Sequence, residues 1–123
     1  MKNKKGFTFI ELLVSVTIVA VMMSVAAVAY SNVNQRSRDS KRRADLETIR
    51  SALEICRANT GTYPASITTN IICSDGAITL TATPVDPKSS SVYTYSRPTT
   101  TTYTLAAQLE LPDNPTAYQV TNP

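Results

Sequence analysis

The acidic side chains and the two cysteines are the residues of this chain that could do chemistry, because the 123-residue sequence contains no histidine. General acid–base catalysis needs a positioned base, most often a histidine or a carboxylate. The sequence has no clustered carboxylate pair, no G-x-S-x-G motif and no phosphate-binding loop. Glu47 and Glu54 lie among arginines, which is typical of a solvated helix face. We therefore predict that the protein is not an enzyme.

The two cysteines, Cys56 and Cys73, enclose a short loop. A Cys/His zinc site is excluded, because there is no histidine and two thiolates are too few for a closed site. In a chain that begins with an export or anchor segment, the pair favours one disulfide formed outside the cytoplasm. Closing such a loop would contribute about 3 kcal/mol to the stability of a small domain. Two unrelated buried thiols are the alternative.

A hard cation would need oxygen ligands from the acidic residues of the distal part of the chain, which are Asp75, Asp86, Glu110 and Asp113. Asp86 and Asp113 lie in predicted loops, where ligands for Ca²⁺ are usually found. Their spacing matches no calcium-loop motif, and both stand in Asp-Pro or Asp-Asn-Pro sequences that are ordinary turn formers. We predict no cofactor, and Asp86 and Asp113 are the candidates if Ca²⁺ binds.

Glu11 lies near the start of an apolar segment and is the one charged residue between Phe7 and Tyr30. The uncharged stretch Leu12–Tyr30 has 19 residues, close to the roughly 20 that a helix needs to span hydrocarbon. A carboxylate within a bilayer costs about 3 kcal/mol on insertion scales, so we expect it to have a function.

Two other interpretations of this segment leave Glu11 unexplained. The first is a signal peptide, because Ala27-Val28-Ala29 has the pattern of a signal-peptidase site and cleavage after Ala29 would release a soluble secreted binding domain. The second is a plain signal anchor that holds a surface protein which never polymerises.

A single long helix is predicted from about Phe7 to Arg57, because no proline or glycine lies between Gly6 and Gly61. Its first half is apolar on all sides. Its second half is amphipathic, with apolar residues at helical spacing along one stripe. The stripe consists of Leu46, Ile49, Ala52, Leu53 and Cys56.

The remainder of the chain predicts loops and short strands. The candidate strands are Ala77–Ala82, Ser91–Ser96 and Thr101–Leu111, and the sequence SRPTT at 96–100 is the expected hairpin loop between the last two. One face of the sheet would pack on the stripe of the helix. The predicted fold class is therefore α+β, with a small antiparallel sheet against the distal half of one long helix.

The net charge of +3 is carried by Lys2, Lys4 and Lys5, since residues 7–123 hold nine basic and nine acidic side chains. The later basic residues are interleaved with acids, which disfavours binding to nucleic acid. Positive charge nevertheless flanks both ends of the apolar segment, and the positive-inside rule alone would place the C-terminal part in the cytoplasm. The cysteine pair favours the opposite orientation, and we follow it.

The stretch KGFTFIELLVS, residues 5–15, resembles the processing site of type IV pilins and of type II secretion pseudopilins. It shares their short basic leader, the Gly-Phe junction and a glutamate four residues after the phenylalanine. NTGTYP at 59–64, Asp86-Pro87 and YTY at 93–95 are more loosely similar to small pilins and major pseudopilins. The apolar half of the helix lacks the proline of many pilus-forming members. The distal part also lacks the acid-rich C-terminal loop with which major pseudopilins bind calcium.

The resemblance implies a leader of residues 1–6, a transmembrane and filament-core segment of residues 7–30, and a head of residues 31–123 outside the cytoplasm. A prepilin peptidase would cut between Gly6 and Phe7, and the new amine of Phe7 would be methylated. Glu11 of one subunit would then pair with the Phe7 amine of a neighbour.

The implied function is structural. The subunit would be held in the bacterial inner membrane and polymerised into a homo-oligomeric filament by a cytoplasmic ATPase and a membrane platform protein. The resemblance leaves open whether the filament is a pilus or a secretion pseudopilus.

Overall fold

The long helix α1 spans Phe9–Thr60, which confirms the predicted single helix to within three residues at each end. It begins after Thr8, whose Oγ1 accepts a hydrogen bond from the backbone N–H of Glu11 at 3.3 Å. A threonine at this position caps one of the amide groups that the first turn leaves unpaired. The helix ends before Gly61, which has a φ of 75° and supplies the left-handed conformation of a helix C-terminus.

The computed structural model describes residues 6–111 and 117–122, and the elements after the helix in this part of the chain are short strands. They are β1 (Ile71–Ile72), β2 (Ile78–Leu80), β3 (Thr94–Thr99), β4 (Thr102–Gln108) and β5 (Ala117–Thr121). Strands β1 and β2 form a two-stranded antiparallel sheet, and the others form a three-stranded antiparallel sheet in the order β3-β4-β5. The predicted α+β class is confirmed.

The chain divides into two units, residues 1–34 and residues 35–123. In the first unit, every residue from Gly6 to Val33 is exposed. Its most apolar 18-residue window has a mean hydropathy of 2.6, and none of the residues in that window is buried within the chain. By length and composition this part of α1 could cross a membrane.

The second unit has one hydrophobic core. The predicted stripe of α1 is buried in it, from Leu46 to Cys56. The inward face of β4 supplies Tyr103, Leu105 and Ala107, because alternate residues of a strand point to the same face of a sheet. Val120 of β5 pairs with Leu105 and joins the same core.

Strand β3 corrects the predicted loop at 96–100. The strand continues through Arg97 and Pro98 to Thr99, and the turn is confined to Thr100 and Thr101. Pro98 is tolerated because β3 is an edge strand of its sheet, where a missing N–H need not break a ladder. Strands β1 and β5 were not predicted. Strand β1 has only two residues and β5 is a short, largely polar run, so neither shows a periodicity that predicts a strand.

Cys56 and Cys73 form a disulfide, the pairing expected from the sequence, with Cα atoms 5.2 Å apart. Both cysteines are buried in the core of the second unit. The bond joins the last turns of α1 to the segment after β1, so it closes a loop across 17 positions of sequence.

Removing the disulfide should destabilise the second unit. For the double variant Cys56→Ala/Cys73→Ala we expect the free energy of unfolding to fall by about 3 kcal/mol, because the unfolded chain regains the entropy of the open loop. Near-ultraviolet circular dichroism of the tyrosines measures this in urea, as the chain has no tryptophan. Wild-type protein treated with a reductant should lose the same amount. An unchanged urea midpoint in the double variant would contradict the prediction.

Candidate functional site

The Gly6–Phe7 junction lies just outside the helix. Gly6, Phe7 and Thr8 precede α1 in a non-helical conformation, and all three are exposed. A methyl group built on Gly6 would meet no atom within 4 Å, and its φ lies outside the left-handed region. The fold of the chain therefore does not require glycine at position 6. Any requirement for glycine there would have to come from a partner that contacts the backbone.

Glu11 occupies the third position of α1, and it is the only side chain of residues 6–34 that is charged at neutral pH. The Thr8-x-x-Glu11 spacing is that of a capping box, and an acid in a first turn is favoured by the helix dipole. This local role is worth about 0.3–1 kcal/mol at an exposed position. It is smaller than the cost of the carboxylate within a bilayer, about 3 kcal/mol. Capping alone therefore does not account for Glu11.

The hydroxyl groups of the apolar segment are satisfied by its own backbone. Ser15 and Thr17 donate to carbonyl oxygens three residues earlier, both at 2.8 Å, and Ser24 donates to Ala20 O at 2.9 Å. Such bonds let serine and threonine lie in hydrocarbon without an unpaired polar group. Within residues 9–29, Glu11 is consequently the one side chain whose polar group needs a partner from elsewhere.

Residues 1–27 match the family described as the prokaryotic N-terminal methylation motif. This is the prepilin-type motif of type IV pilins and pseudopilins. The chain carries a prepilin-type N-terminus. The motif implies processing by a prepilin peptidase, and the proteins that carry it are structural. Comparisons with curated proteins and with solved structures find no match to the chain.

The prepilin motif and the apolar half of α1 together fit a type IV pilin-like protein anchored in the inner membrane. The match includes Gly6, Phe7 and Glu11 and ends at Ala27, so it does not reach the second unit. Residues 1–5 of the predicted leader lie outside the described residues. The role of the second unit therefore depends on its own contacts.

A charged cluster in the second unit is centred on Arg42, whose side chain is almost fully buried. Its Nε and Nη2 donate to the two carboxylate oxygens of Asp86 at 2.6 and 3.2 Å. Its Nη1 donates to Asp39 at 2.7 Å, and Nη2 lies 3.1 Å from Glu110. Planar guanidinium groups suit such forked contacts to several carboxylates.

Glu110 and Asp39 extend this cluster. Arg38 donates two hydrogen bonds of 2.7 Å to the carboxylate of Glu110, and Lys88 donates a third at 3.3 Å. Asp39 accepts the backbone N–H groups of Glu110 and Leu111 at 2.9 and 3.0 Å. The cluster therefore ties α1 to the loop at Asp86 and to the segment after β4.

The ion pairs shift the titration of the cluster. Hydrogen bonds from Arg42 hold the pKa of Asp86 far below its ordinary value of 3.8. Those from Arg38, with smaller contributions from Lys88 and Arg42, lower the pKa of Glu110 to about 2. Both carboxylates therefore remain ionised well into the acid range.

Asp86, one of the two candidates for Ca²⁺, has its carboxylate engaged in these contacts. Both oxygens accept from Arg42, and one also accepts the backbone N–H groups of Lys88 and Ser89. Among the described residues, no group of three acidic, cysteine or histidine side chains is arranged to hold a metal ion. Asp113 lies outside the described residues.

The interpretation of Glu54 as part of a solvated face is wrong. Glu54 is half-buried and accepts hydrogen bonds from the hydroxyl of Tyr63 at 3.0 Å and of Tyr103 at 3.4 Å. Burial and the nearby carboxylate raise the pKa of both tyrosines, so they stay protonated as donors. Glu54 thus holds an aromatic pair whose ring centroids are 4.7 Å apart. This contact joins α1 to Tyr63 and to Tyr103 of β4.

Loss of Arg42 should strongly destabilise the second unit. For Arg42→Met we expect the free energy of unfolding to fall by about 3–5 kcal/mol, because the buried Asp39 and the partly buried Asp86 would lose their cation. Arg50→Met is the matched control, since Arg50 pairs with Glu47 at 3.5 Å where both are over a third exposed. Its loss should be about 0–1 kcal/mol. Urea unfolding compares the two, and equal losses would contradict a special role for Arg42.

The cluster also predicts how stability depends on pH. Since the pKa of Glu110 is lowered from 4.5 to about 2, its contribution is complete above pH 4.5 and is lost as the pH falls through 2. The urea midpoint of unfolding, measured at intervals between pH 4.5 and about pH 2, should therefore decrease as the pH is lowered. Glu110→Gln should make that decline shallower. The same slope in both proteins would show that Glu110 does not cause it.

Proposed function

We propose that this protein is the structural subunit of a filament of the type IV pilus or type II secretion pseudopilus class. The subunit is held in the inner membrane by residues 7–30 and is then polymerised with its apolar segments bundled. The observation that carries the proposal is the apolar half of α1, which is exposed on every side and has one carboxylate near its start. Lipid covers such a surface first, and copies of the same segment cover it later.

Processing prepares the N-terminus for this assembly. A prepilin peptidase hydrolyses the Gly6–Phe7 bond on the cytoplasmic side, and the amine of Phe7 is methylated. The exposed, non-helical junction supports this step, as does the absence of any reason within the fold for glycine at position 6. Cleavage removes Lys2, Lys4 and Lys5 and creates one new cation at Phe7.

Glu11 pairs with the Phe7 amine of a neighbouring subunit. Each charge is costly in hydrocarbon when isolated, and their pairing is favourable only where the two subunits have the correct axial offset. The contact therefore fixes the register of the filament. Methylation converts the primary amine of Phe7 into a secondary amine, which still carries a positive charge at neutral pH, so the pair remains ionic.

Close packing of the segments contributes the rest of the assembly energy. In a bilayer the lipid tails are as apolar as leucine, so helices associate through van der Waals contact at small residues. Such residues recur along the segment as Ser15, Ser24, Ala26, Ala27 and Ala29. By the resemblance to pilins, a cytoplasmic ATPase and a membrane platform protein drive the transfer from lipid to filament. The disulfide supports a head that lies outside the cytoplasm.

The variant Glu11→Ala tests the pairing. In a host with a prepilin peptidase and an assembly system, we expect it to enter the membrane and be processed but to form few filaments. Intact mass confirms processing, and electron microscopy and sheared-fraction blots count filaments. A chain starting at Tyr30 would indicate a secreted domain, and an uncleaved Met1 would indicate a plain anchor.

Thr8→Ala is the matched control. It removes the hydrogen bond that caps the first turn and leaves the carboxylate of Glu11 in place. Filaments should form with Thr8→Ala and not with Glu11→Ala if intersubunit pairing is the function of Glu11. Undiminished filaments from Glu11→Ala, or an equal loss in both variants, would refute the pairing.

A further inference from the structure

A cleft of about 520 Å³ lies in the second unit between the loop that follows α1, strand β1 and strand β3. Every residue that lines it is described by the structure, and Arg97 is the only charged one among them. The hydroxyl groups of Ser66, Thr68 and Ser74 and the amide of Asn70 are also part of the lining. Clefts that bind small molecules commonly have volumes of about 300–1,000 Å³, so this one is large enough for a ligand.

The guanidinium of Arg97 is half-buried and has no counter-ion. Its Nη1 donates to Tyr63 O at 2.9 Å, and among the described residues it forms no ion pair with a carboxylate. Asp75 is next in sequence to the lining residue Ser74 but is not part of the lining, and its Oδ1 accepts the backbone N–H of Ala77 at 3.0 Å. Charges that are removed from water are normally paired. The remaining N–H groups of Arg97 are therefore available to an anion that the chain itself does not supply.

Hydrogen bonds fix the walls of the cleft before any ligand binds. The backbone N–H of Tyr63 donates to Thr100 O at 2.9 Å, and the hydroxyl of Tyr95 donates to Pro64 O at 2.7 Å. These bonds join the loop after α1 to strand β3 and to the turn that follows it. The disulfide holds the segment after β1 to the helix. Because the site is already formed, a ligand would bind without the entropic cost of ordering it.

The rest of the lining suits a ligand with several hydroxyl groups. Within the part of the chain that the structure describes, the hydroxyl of Ser66 and the amide nitrogen of Asn70 form no hydrogen bond, since Asn70 uses its Oδ1 to accept from Thr68 at 3.2 Å. Ile72 adds an apolar patch, because it is 44% exposed and pairs across the sheet with Ile78, which is 55% exposed. Hydroxyl and amide groups can bond to the hydroxyls of a sugar, while an apolar side chain packs on the C–H face of its ring.

We propose that this cleft binds a uronic acid residue of an anionic polysaccharide outside the cell. The carboxylate of the sugar pairs with the guanidinium of Arg97, its hydroxyls bond to Ser66 and Asn70, and its ring packs on Ile72. The single cation suits a ligand with one carboxylate in each sugar unit, and the neutral polar groups around it favour a sugar over an acidic peptide. The inference goes beyond the proposed function and rests on its placement of the second unit outside the cytoplasm.

The test measures the binding of trigalacturonic acid to the full-length chain in micelles of a polyoxyethylene detergent, which itself contains no sugar. Saturation-transfer NMR of the ligand gives the dissociation constant. We expect Arg97→Gln to raise this constant about tenfold, since a charge-assisted contact contributes about that factor.

Asn70→Asp is a second variant that does not alter Arg97 or its bond to Tyr63. It retains the oxygen that accepts from Thr68 but places an anion in the cleft, so we expect it to weaken binding by at least as much. Near-ultraviolet circular dichroism verifies that each variant is folded. A wild-type chain that does not bind trigalacturonic acid would overturn the proposal, as would unchanged binding in both folded variants.

Arg50→Gln is the matched control, because it removes the same charge from a residue that does not line the cleft. Its dissociation constant should equal that of the wild type, and a loss equal to that of Arg97→Gln would show diffuse attraction instead of a site. The neutral trisaccharide of galactose should bind at least about tenfold more weakly, because it lacks the carboxylate that pairs with Arg97. Equal binding of that trisaccharide, or of triglutamate, would overturn the uronic acid assignment. Displacement of the sugar by millimolar inorganic phosphate would indicate a general anion site and would overturn it as well.

Failure of this inference is distinguishable from failure of the proposed function. The binding assay uses the unassembled chain, so it gives the same result whether or not filaments form. A chain that binds no uronic acid but forms filaments that depend on Glu11 would overturn the sugar site alone. A chain that binds the sugar but starts at Tyr30 when recovered from its host would contradict the filament and leave the site in place.

Discussion

Among the described residues, the apolar half of α1 is exposed throughout its own unit, and this constraint limits what can surround it. Exposed apolar surface in water is unfavourable by about 25 cal/mol per Å², and here the exposure continues around the whole helix for more than six turns. The segment must therefore be covered by lipid or by other chains. Moving it from lipid to protein yields little hydrophobic free energy, since both environments are apolar. In the proposed filament, polar pairing and close packing must therefore decide whether subunits associate, and Glu11 is the residue proposed to form that pair.

The second unit, in contrast, buries its apolar residues but has little core with which to stabilise its fold. It is a small domain with a modest core, and domains of this size commonly need additional constraints. The disulfide supplies one, and the Arg42 cluster supplies another by joining three separate segments. Breaking a buried ion network is costly even where building it adds little, so the cluster defines one arrangement of the loop at Asp86 and the end of β4. It also pairs two arginines, of which Arg42 is buried and Arg38 is about 33% exposed.

The features that could be predicted from the sequence are those with local signals. The helix follows from the absence of breakers between Gly6 and Gly61, and its stripe follows from apolar spacing. The long strand β4 follows from alternation. Pro98 misled the prediction of β3, because the sequence does not show that the strand lies at an edge.

The charged cluster could not be predicted for a different reason. Arg42 and Asp86 are 44 positions apart, and no periodicity links a helix position to a particular loop. The predicted loop position of Asp86 suggested a metal ligand, whereas in the fold its carboxylate accepts hydrogen bonds from Arg42. Glu54 was misjudged in a similar way. Arg50 and Arg57 lie within about one helical turn of it in sequence, whereas the fold brings the hydroxyl groups of Tyr63 and Tyr103 to its carboxylate. Most of the contacts that sequence reasoning missed join groups far apart in sequence, such as Arg42 with Asp86 and Arg38 with Glu110.

The ion pairs of Arg38 and Arg42 also bear on the orientation of the chain in the membrane. By sequence, five basic residues after the apolar segment outweigh the three lysines before it. The positive-inside rule acts on the chain as it inserts, before the head has folded, so pairing of Arg38 and Arg42 in the folded head cannot by itself reverse the count. Folding does alter the state of the chain after insertion. In the folded second unit, Arg38 and Arg42 are paired with Glu110, Asp39 and Asp86. A folded unit with buried ion pairs resists passage through the bilayer, so we expect the orientation reached on insertion to be maintained by the folded state.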